Sequence, residues 1–251
     1  MTIEESKEKL KKDGYTWFEL SDFDMDFYNW LMVMKCNENT DFKKRFTQLK
    51  ADVNYSNATS YAKINHDFYS FEKAEEKKNE ILNAIKKPTV GLLGTGPTLR
   101  AEQIWYHVDF NNFFTPLNLE RDDYEMHVKK IVTHFFDMEE NQEYAFLNFA
   151  TYYDKECKLD NHSDGTGTGR ICALLIYLNE SYDEKDGGCL VLNNNEIVVP
   201  TFGKIAIIDL QSFDIPHMVT EVTGGIGRYA LLSFIKKKED EFIHSKYDIK
   251  Q

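Results

Sequence analysis

Two histidines and an aspartate in the second half of the chain have the types and the spacing of metal ligands. His162 and Asp164 are separated by one residue, and alternate residues of a strand point to the same side. An imidazole and a carboxylate placed in this way can reach one ion. His217 follows later, in the segment Asp-Ile-Pro-His, and can supply a third ligand. Two histidines and one carboxylate that leave other positions open suit non-haem Fe(II).

An arginine near the end of this region could hold a carboxylate. Arg228 follows His217 in the segment Gly-Arg-Tyr-Ala-Leu-Leu-Ser-Phe. Its guanidinium is a planar fork that binds a carboxylate through paired hydrogen bonds. A 2-oxo dicarboxylic acid that chelates iron at one end carries a second carboxylate at the other end. The sequence therefore predicts Arg228 as the anchor of that second carboxylate.

The elements that must position these residues are short strands. From about residue 143 onward, apolar runs are separated by turn residues rich in glycine, which is typical of a sandwich or barrel. The predicted strands cover residues 144–153, 171–178, 189–192, 196–199, 204–209, 217–222 and 228–235.

The first part of the chain is expected to be rich in helices. The periodicity predicts one strand at 15–20 and helices at 4–12, from Asp22 or Asp24 to about 35, and at 71–86, 101–114 and 119–136. Residues 90–97 are predicted to form a loop that contains a turn at 94–96. We therefore expect a helix-rich region at 1–140, a core at 141–238 and a charged, solvated tail at 239–251.

The composition bounds the class of protein. The 251 residues, 42% of them hydrophobic, are enough for one well-cored domain. The formal charge of −12 argues against nucleic acid or an anionic membrane as the main partner. The four cysteines form no Cys-x-x-Cys pair, which predicts free thiols in a reducing compartment, the cytoplasm. We expect neither a signal peptide nor a transmembrane helix, since no run of about 18 apolar residues occurs.

Taken together, these segments resemble the Fe(II)/2-oxoglutarate dioxygenases of the prolyl 4-hydroxylase type. Residues 170–179 resemble the Arg-to-Tyr-Leu-Asn strand of that family, residues 187–190 match its Gly-Gly-x-Leu, and residues 228–230 resemble its hypoxia-sensing branch. The likeness covers residues 144–236. It implies an α+β fold with a mainly β core, a double-stranded β-helix or jelly roll, under a helical N-terminal cover.

The resemblance also implies roles for individual residues. It makes His162, Asp164 and His217 the catalytic iron ligands and Arg228 the anchor of 2-oxoglutarate. The other implied cosubstrate contacts are Tyr177, which would reach the same carboxylate as Arg228, Leu190, which would line the pocket, and a tyrosine ahead of the metal motif. Tyr152 and Tyr153 are adjacent and alternate faces on a strand, so only one can point inward; we favour Tyr153.

Some residues allow other interpretations. His107-Val108-Asp109 repeats the His-x-Asp spacing, but its surroundings favour a helix and no Gly-Gly-x-Leu follows it. Arg170 could bind substrate or pair with an acid, and the sequence does not decide between them. The family tryptophan near the end of the last strand is Phe234 here.

The function implied by the resemblance is hydroxylation. Fe(II), 2-oxoglutarate and dioxygen are the implied cofactors and cosubstrates, with ascorbate left open. Halogenases of this superfamily carry Gly or Ala at the position of Asp164, so its carboxylate favours hydroxylation. The expected substrate is an amino acid, either peptidyl and prolyl-like or free. The alternatives are a non-catalytic jelly-roll binding module and a dioxygenase that acts on another small metabolite. A nucleic acid demethylase is disfavoured by the charge.

Overall fold

The structure is a computed structural model that describes most of the chain. The described residues are 1–36, 61–64, 67–69, 73, 76, 104–109, 121–153, 155–166, 169–193, 195–224, 227–238 and 249–250. The longer helices among them are α1 (Ile3–Asp13), α2 (Met25–Cys36) and α3 (Arg121–Phe135).

The strands are numbered in chain order. They are β1 (Tyr15–Glu19), β2 (Tyr61–Ile64), β3 (Asp67–Tyr69), β4 (Ile104–Asp109), β5 (Tyr144–Tyr153), β6 (Leu159–His162), β7 (Arg170–Tyr177), β8 (Leu190–Leu192), β9 (Glu196–Val198), β10 (Lys204–Asp209), β11 (His217–Val219), β12 (Arg228–Lys237) and β13 (Ile249–Lys250).

Two sheets hold the molecule together. The larger sheet has the order β1-β10-β7-β12-β5-β4-β2-β3-β13, and the smaller has the order β6-β11-β8-β9. Apart from the parallel pairing of β13 with β3, the strand pairs are antiparallel. This is the double-stranded β-helix that the sequence predicted.

The centre of the larger sheet is β7, which lies between β10 and β12. Its sequence Arg-Ile-Cys-Ala-Leu-Leu-Ile-Tyr is almost continuously apolar, and six of its eight residues are buried. A strand covered on both faces needs apolar residues at successive positions, because neither face meets water. The predicted strands of the C-terminal half are confirmed, and their predicted ends differ from the observed ends by up to three residues.

The helices begin and end where local signals place them. Thr2 and Glu5 form a reciprocal capping box at the start of α1, and Gly14 ends it in the left-handed conformation. Asp24 accepts the backbone N–H of Phe27 at 3.0 Å at the start of α2. The helices predicted at 4–12 and 119–136, and the one predicted from Asp22 or Asp24, are confirmed.

The helix predicted at 101–114 is wrong, because residues 104–109 form β4 and pair with β5. Ile104, Tyr106 and Val108 alternate with other residues, and β-branched and aromatic side chains favour a pleated surface over a helix. Strands β2, β3 and β6 were not predicted.

Both ends of the chain reach the larger sheet. β1 pairs with β10 at one edge, so the region before residue 140, which was expected to form a helix-rich cover, contributes strands to this sheet. Ile249 and Lys250 pair with β3, so the segment expected to be a solvated tail ends in a strand. Except for residues 73 and 76, the helix predicted at 71–86 lies outside the described residues. The loop predicted at 90–97 also lies outside them.

Candidate active site

The three predicted metal ligands lie together in the structure. His162 ends β6 and His217 begins β11, and the two are register partners with ring centroids 4.3 Å apart. The Asp164 carboxylate follows β6 and lies 4.0 Å from Nε2 of His162 and 3.8 Å from Nε2 of His217. One ligand atom from each residue lies within 4.8 Å of the others. This spacing allows all three to bind one ion.

A backbone carbonyl sets the tautomer of His217. Its Nδ1 lies 3.0 Å from the carbonyl oxygen of Ile215, which can only accept a hydrogen bond. Nδ1 therefore carries the hydrogen, and the lone pair is left on Nε2, the atom that faces Asp164. Histidine ligands of metals commonly have this second contact, which fixes the ring and its tautomer.

A side-chain hydrogen bond joins the two segments that carry the ligands. Ser163, between His162 and Asp164, donates its hydroxyl to the Asp214 carboxylate. Asp214 stands three residues before His217 in the segment that leads into β11. The backbone N–H of Asn193 also donates to the carbonyl of Pro216 at 2.8 Å, which holds the same segment against the end of β8.

The donor set fits Fe(II). Two neutral imidazole nitrogens and one carboxylate form a facial set that leaves positions for exogenous ligands. The side chains of His162 and Asp164 are 29% and 18% exposed, whereas that of His217 is 8% exposed. The site therefore opens on the side of His162 and is closed behind His217.

Arg228 is buried, and part of its guanidinium has no acceptor among the described residues. It is 1% exposed, and its Nε and Nη2 atoms have no hydrogen-bond partner among the described residues. Its guanidinium carbon lies 4.8 Å from the ring centroid of Tyr153 and 5.1 Å from that of Tyr177. Burying a cation is costly unless an anion or several acceptors compensate it. The arrangement fits an anionic ligand.

Two tyrosines line the guanidinium. Tyr177 is fully buried, and its hydroxyl has no hydrogen-bond partner by geometry within the described part of the chain. Burial raises the pKa of Tyr177, although the neighbouring Arg228 lowers it in part. Burial likewise raises the pKa of Tyr153, which is the register partner of Arg228. Both phenols therefore stay protonated and can donate to a carboxylate.

Tyr152 faces away from Arg228. Its ring stacks on Tyr229 with centroids 4.8 Å apart, and a Cβ at Gly227 would lie 2.1 Å from one of its ring carbons. The structure thus places Tyr153 beside Arg228, the arrangement favoured from the sequence. A contact between Tyr153 and 2-oxoglutarate stays a prediction.

The side chain of Asn179 fixes the backbone on both sides of Arg228. Its Nδ2 donates to the carbonyl of Gly227 at 2.7 Å, and its Oδ1 accepts the N–H of Tyr229 at 2.9 Å. Asn179 is 4% exposed, so these bonds are shielded from water. The Tyr-Leu-Asn motif was recognised in the sequence, but the role of its asparagine was not.

The Gly-Gly-x-Leu segment packs close to the backbone. Gly187 has φ of +72°, and a Cβ there would lie 1.7 Å from the carbonyl oxygen of Glu221, so only glycine fits. Leu190 is 1% exposed and pairs with Val219 on the face of β11 that also carries His217. Leu190 therefore lines the same interior, and its contact with cosubstrate stays a prediction.

Tyr182 was missed in the sequence. It lies in the loop after Asn179 and is only 9% exposed. A Cβ at Gly188 would lie 2.6 Å from its hydroxyl oxygen and 3.3 Å from Cβ of Arg228. The hydroxyl is therefore close to the arginine pocket. A tyrosine in a polar loop gives no periodic signal that could have identified it.

Arg170 lies apart from Arg228 and the tyrosines around it. The guanidinium of Arg170 stacks 4.2 Å from the ring of Phe234, at the other end of β7 from Tyr177. At about 3.3 Å per residue, the backbones of Arg170 and Tyr177 are roughly 23 Å apart along β7. His107 and Asp109 belong to β4, and their side chains lie outside the described part of the structure.

Residues 147–236 match the family model of the 2OG-Fe(II) oxygenase superfamily. This segment contains the three metal ligands, Arg228 and the tyrosines around it. The segment is similar to a 2OG-Fe(II) oxygenase domain, and the protein is an oxidoreductase enzyme.

Solved structures agree with the fold. A prolyl-4-hydroxylase from Pseudomonas putida is similar with a TM-score of 0.55 and 14% sequence identity, covering 93% of this chain and 98% of that chain. EvdO2 from Micromonospora carbonacea var. aurantiaca is similar with a TM-score of 0.53 and 11% identity, covering 94% and 92%. No curated protein matches the sequence.

Within the described part of the chain, the helices are too short or too polar to cross a membrane.

Proposed function

We propose that the protein is an Fe(II)- and 2-oxoglutarate-dependent dioxygenase that hydroxylates an unactivated C–H bond of an amino acid, with release of succinate and CO2. The observation that carries this proposal is the buried guanidinium of Arg228. Its Nε and Nη2 atoms are buried with no hydrogen-bond partner among the described residues.

Each part of the site has a distinct task. When bound, Fe(II) would supply the oxidation of the C–H bond by dioxygen, with 2-oxoglutarate as the co-reductant. His162, Asp164 and His217 hold the metal and leave positions for exogenous ligands. Arg228 and Tyr177 bind the far carboxylate and so orient the cosubstrate. Their burial excludes water, which strengthens the contact.

The carboxylate of Asp164 supports hydroxylation rather than halogenation. A halide would need the position that this carboxylate can fill. Its Oδ1 and Oδ2 atoms face His162 and His217 respectively, so the carboxylate lies between the two imidazoles. The chain therefore offers a complete set of three protein ligands.

The substrate is proposed to be an amino acid, peptidyl and prolyl-like or free. A peptidyl substrate is supported by the exposure of the ligands on the open side of the site, where a side chain of a larger molecule can approach. The similarity to a protein described as a prolyl-4-hydroxylase adds support for a prolyl-like residue. The formal charge of −12 favours a neutral or cationic peptide over nucleic acid.

An anaerobic titration with Fe(II) and 2-oxoglutarate tests the cofactor chemistry. We expect a weak visible charge-transfer band in the wild-type protein and none in His162→Ala. Arg228→Ala should need far more 2-oxoglutarate for the same band. A folded wild-type protein without the band would overturn the proposal and favour a non-catalytic binding module.

Succinate release tests the substrate class. The assay compares proline-containing peptides with free amino acids, each with and without ascorbate. Release that rises with peptides alone supports a peptidyl substrate, and release that rises with free amino acids alone supports the other class. No stimulation by either panel would contradict an amino acid substrate.

A further inference from the structure

We propose that Tyr182 donates a hydrogen bond to the far carboxylate of the bound 2-oxo acid and so strengthens selection for a dicarboxylic cosubstrate. This inference rests on the proposed function, because it assumes that Arg228 anchors that carboxylate.

The first support is the burial of Tyr182 in an otherwise exposed loop. Its neighbours Ser181 and Asp183 are exposed, whereas Tyr182 is 9% exposed and its hydroxyl oxygen is sealed from solvent. That oxygen has no hydrogen-bond partner among the described residues. Buried hydroxyls are normally hydrogen-bonded, so an unpartnered one beside Arg228 is available to a ligand.

The second support is the position of the hydroxyl next to Arg228. Both the Tyr182 oxygen and Cβ of Arg228 lie within 3.3 Å of the place that a Cβ of Gly188 would take. The absence of a side chain at Gly188 therefore leaves room for the phenol to approach the arginine. Tyr177 reaches the same guanidinium from β7.

The third support is the chemistry of the groups that meet there. Arg228 can only donate hydrogen bonds. Burial raises the pKa of Tyr182 to about 12, although Arg228 lowers it in part, so the phenol keeps its proton at neutral pH. Tyr177 also remains protonated. A carboxylate only accepts, and one carboxylate has enough lone pairs to satisfy all of these donors.

The loop around Tyr182 is held firmly enough to fix its side chain. Asp183 caps the short turn Glu184–Asp186, and the carbonyl of Asp186 accepts the N–H groups of Thr223 at 2.8 Å and Gly224 at 3.1 Å. The Thr223 hydroxyl donates to the carbonyl of Lys185 at 2.9 Å. A phenol held in advance loses little conformational entropy when the ligand arrives.

Calorimetric titration of Mn(II)-loaded protein under argon tests the proposal without turnover. The wild type and Tyr182→Phe are titrated with 2-oxoglutarate and with 2-oxobutyrate, which has the same chelating end but no far carboxylate. The variant should weaken 2-oxoglutarate binding by roughly tenfold to a hundredfold, as expected for a buried hydrogen bond to a charged acceptor. Mn(II) affinity and 2-oxobutyrate affinity should not change.

Tyr144→Phe is the matched control. Tyr144 is also a buried tyrosine, at the opposite end of β5 from Tyr153. It should leave both 2-oxo acid affinities unchanged. Thermal unfolding of the metal-free variants checks the fold, which should persist because Tyr182→Phe removes a hydroxyl with no hydrogen-bond partner among the described residues.

The outcomes separate this inference from the proposed function. A wild-type protein that does not bind 2-oxoglutarate overturns both. Binding by the wild type with no change in Tyr182→Phe overturns the role of Tyr182 alone. An equal loss of affinity for 2-oxoglutarate and 2-oxobutyrate in Tyr182→Phe also overturns the role of Tyr182, because the hydroxyl would then act on the shared chelating end.

Discussion

His162 and His217 are direct cross-strand partners at adjoining ends of β6 and β11. Partners in an antiparallel pair point to the same face, so the two imidazoles meet without any loop having to bring them together. The geometry of the metal centre therefore depends on the register of the smaller sheet.

Replacing either histidine should abolish tight metal binding while the fold persists. His162→Ala and His217→Ala each remove a ligand, so the affinity for Mn(II) or Fe(II) should fall by more than the roughly tenfold to hundredfold that outer contacts contribute. Calorimetry of the metal-free protein measures the affinity. His134→Ala, on α3, is the control and should bind like the wild type; an unchanged affinity in His162→Ala would contradict the assigned ligand.

Arg228→Met should weaken 2-oxoglutarate binding and stabilise the ligand-free protein. It removes the fork proposed to hold the carboxylate, and it also removes a buried cation whose Nε and Nη2 atoms have no acceptor among the described residues. Replacing a poorly compensated buried charge by an apolar group of similar size can raise the free energy of unfolding by roughly 1 kcal/mol or more. Chemical denaturation and 2-oxoglutarate titration measure the two effects.

Arg170→Met is the matched control for Arg228. Arg170 stacks on Phe234 at the other end of β7 and should not affect 2-oxoglutarate affinity. A loss of affinity in Arg170→Met equal to that in Arg228→Met would show that the pocket is assigned to the wrong arginine.

Asn179→Ala should lower both stability and cosubstrate affinity. It leaves the carbonyl of Gly227 and the N–H of Tyr229 without their buried partner, which costs about 2–3 kcal/mol in the free energy of unfolding. The backbone on both sides of Arg228 is then no longer fixed, so 2-oxoglutarate affinity should fall as well.

Asn148→Ala separates the two effects of Asn179→Ala. Asn148 is also a buried asparagine, and it accepts a hydrogen bond from Ser233 at 2.7 Å farther along β12. It should destabilise the protein to a similar extent but leave 2-oxoglutarate affinity unchanged. If both variants lose affinity equally, Asn179 does not act through Arg228.

Gly188→Ala should act on cosubstrate binding through Tyr182. The new Cβ would lie 2.6 Å from the Tyr182 hydroxyl, at a residue with φ of +63°, so the phenol must move. The loss of 2-oxoglutarate affinity should be smaller in a Tyr182→Phe background, with a coupling of roughly 1 kcal/mol or more. Strictly additive losses in the double-mutant cycle would exclude this route.

Asp24→Ala should produce a loss of stability that depends on pH. Burial raises the pKa of Asp24, but hydrogen bonds from Phe27 and His127 and the charge of Lys130 outweigh it, so the pKa lies below its ordinary value of 3.8. The unfolded state therefore binds the proton more tightly than the folded state does. The contribution of the Asp24 carboxylate to stability is fully present above pH 3.8. This contribution is lost as the pH falls through the lower pKa that Asp24 has in the folded state.

Thermal unfolding over a pH series measures this effect. The variant should be less stable by about 1 kcal/mol at pH 7, as for loss of a helix N-cap. The difference should shrink in acid below the ordinary pKa of Asp24. A difference that stays constant down to pH 2 would show that the carboxylate charge has no part in it.

The sequence could predict the elements with strong local signals. The apolar runs and glycine turns located β11, which carries His217, but not β6, which carries His162. The caps located α1 and α2. The sequence predicts a helix where β4 lies, because its six residues form a short, mostly apolar and aromatic run that is ambiguous between helix and strand, and the pairing with β5 selects the strand. The role of Tyr182 could not be predicted, because it depends on the empty space at Gly188.

The pairing of β1 with β10 has a consequence for the order of folding. Tyr15 faces Ile208 across that edge, so β1 cannot pair in the sheet until β10 has been synthesised. His217, the last metal ligand, follows β10 closely. Such distant contacts slow folding, and strands left unpaired during synthesis are prone to aggregation. Closure of the sheet and completion of the metal centre therefore belong to the same late stage of folding, when a chaperone would have most effect on yield.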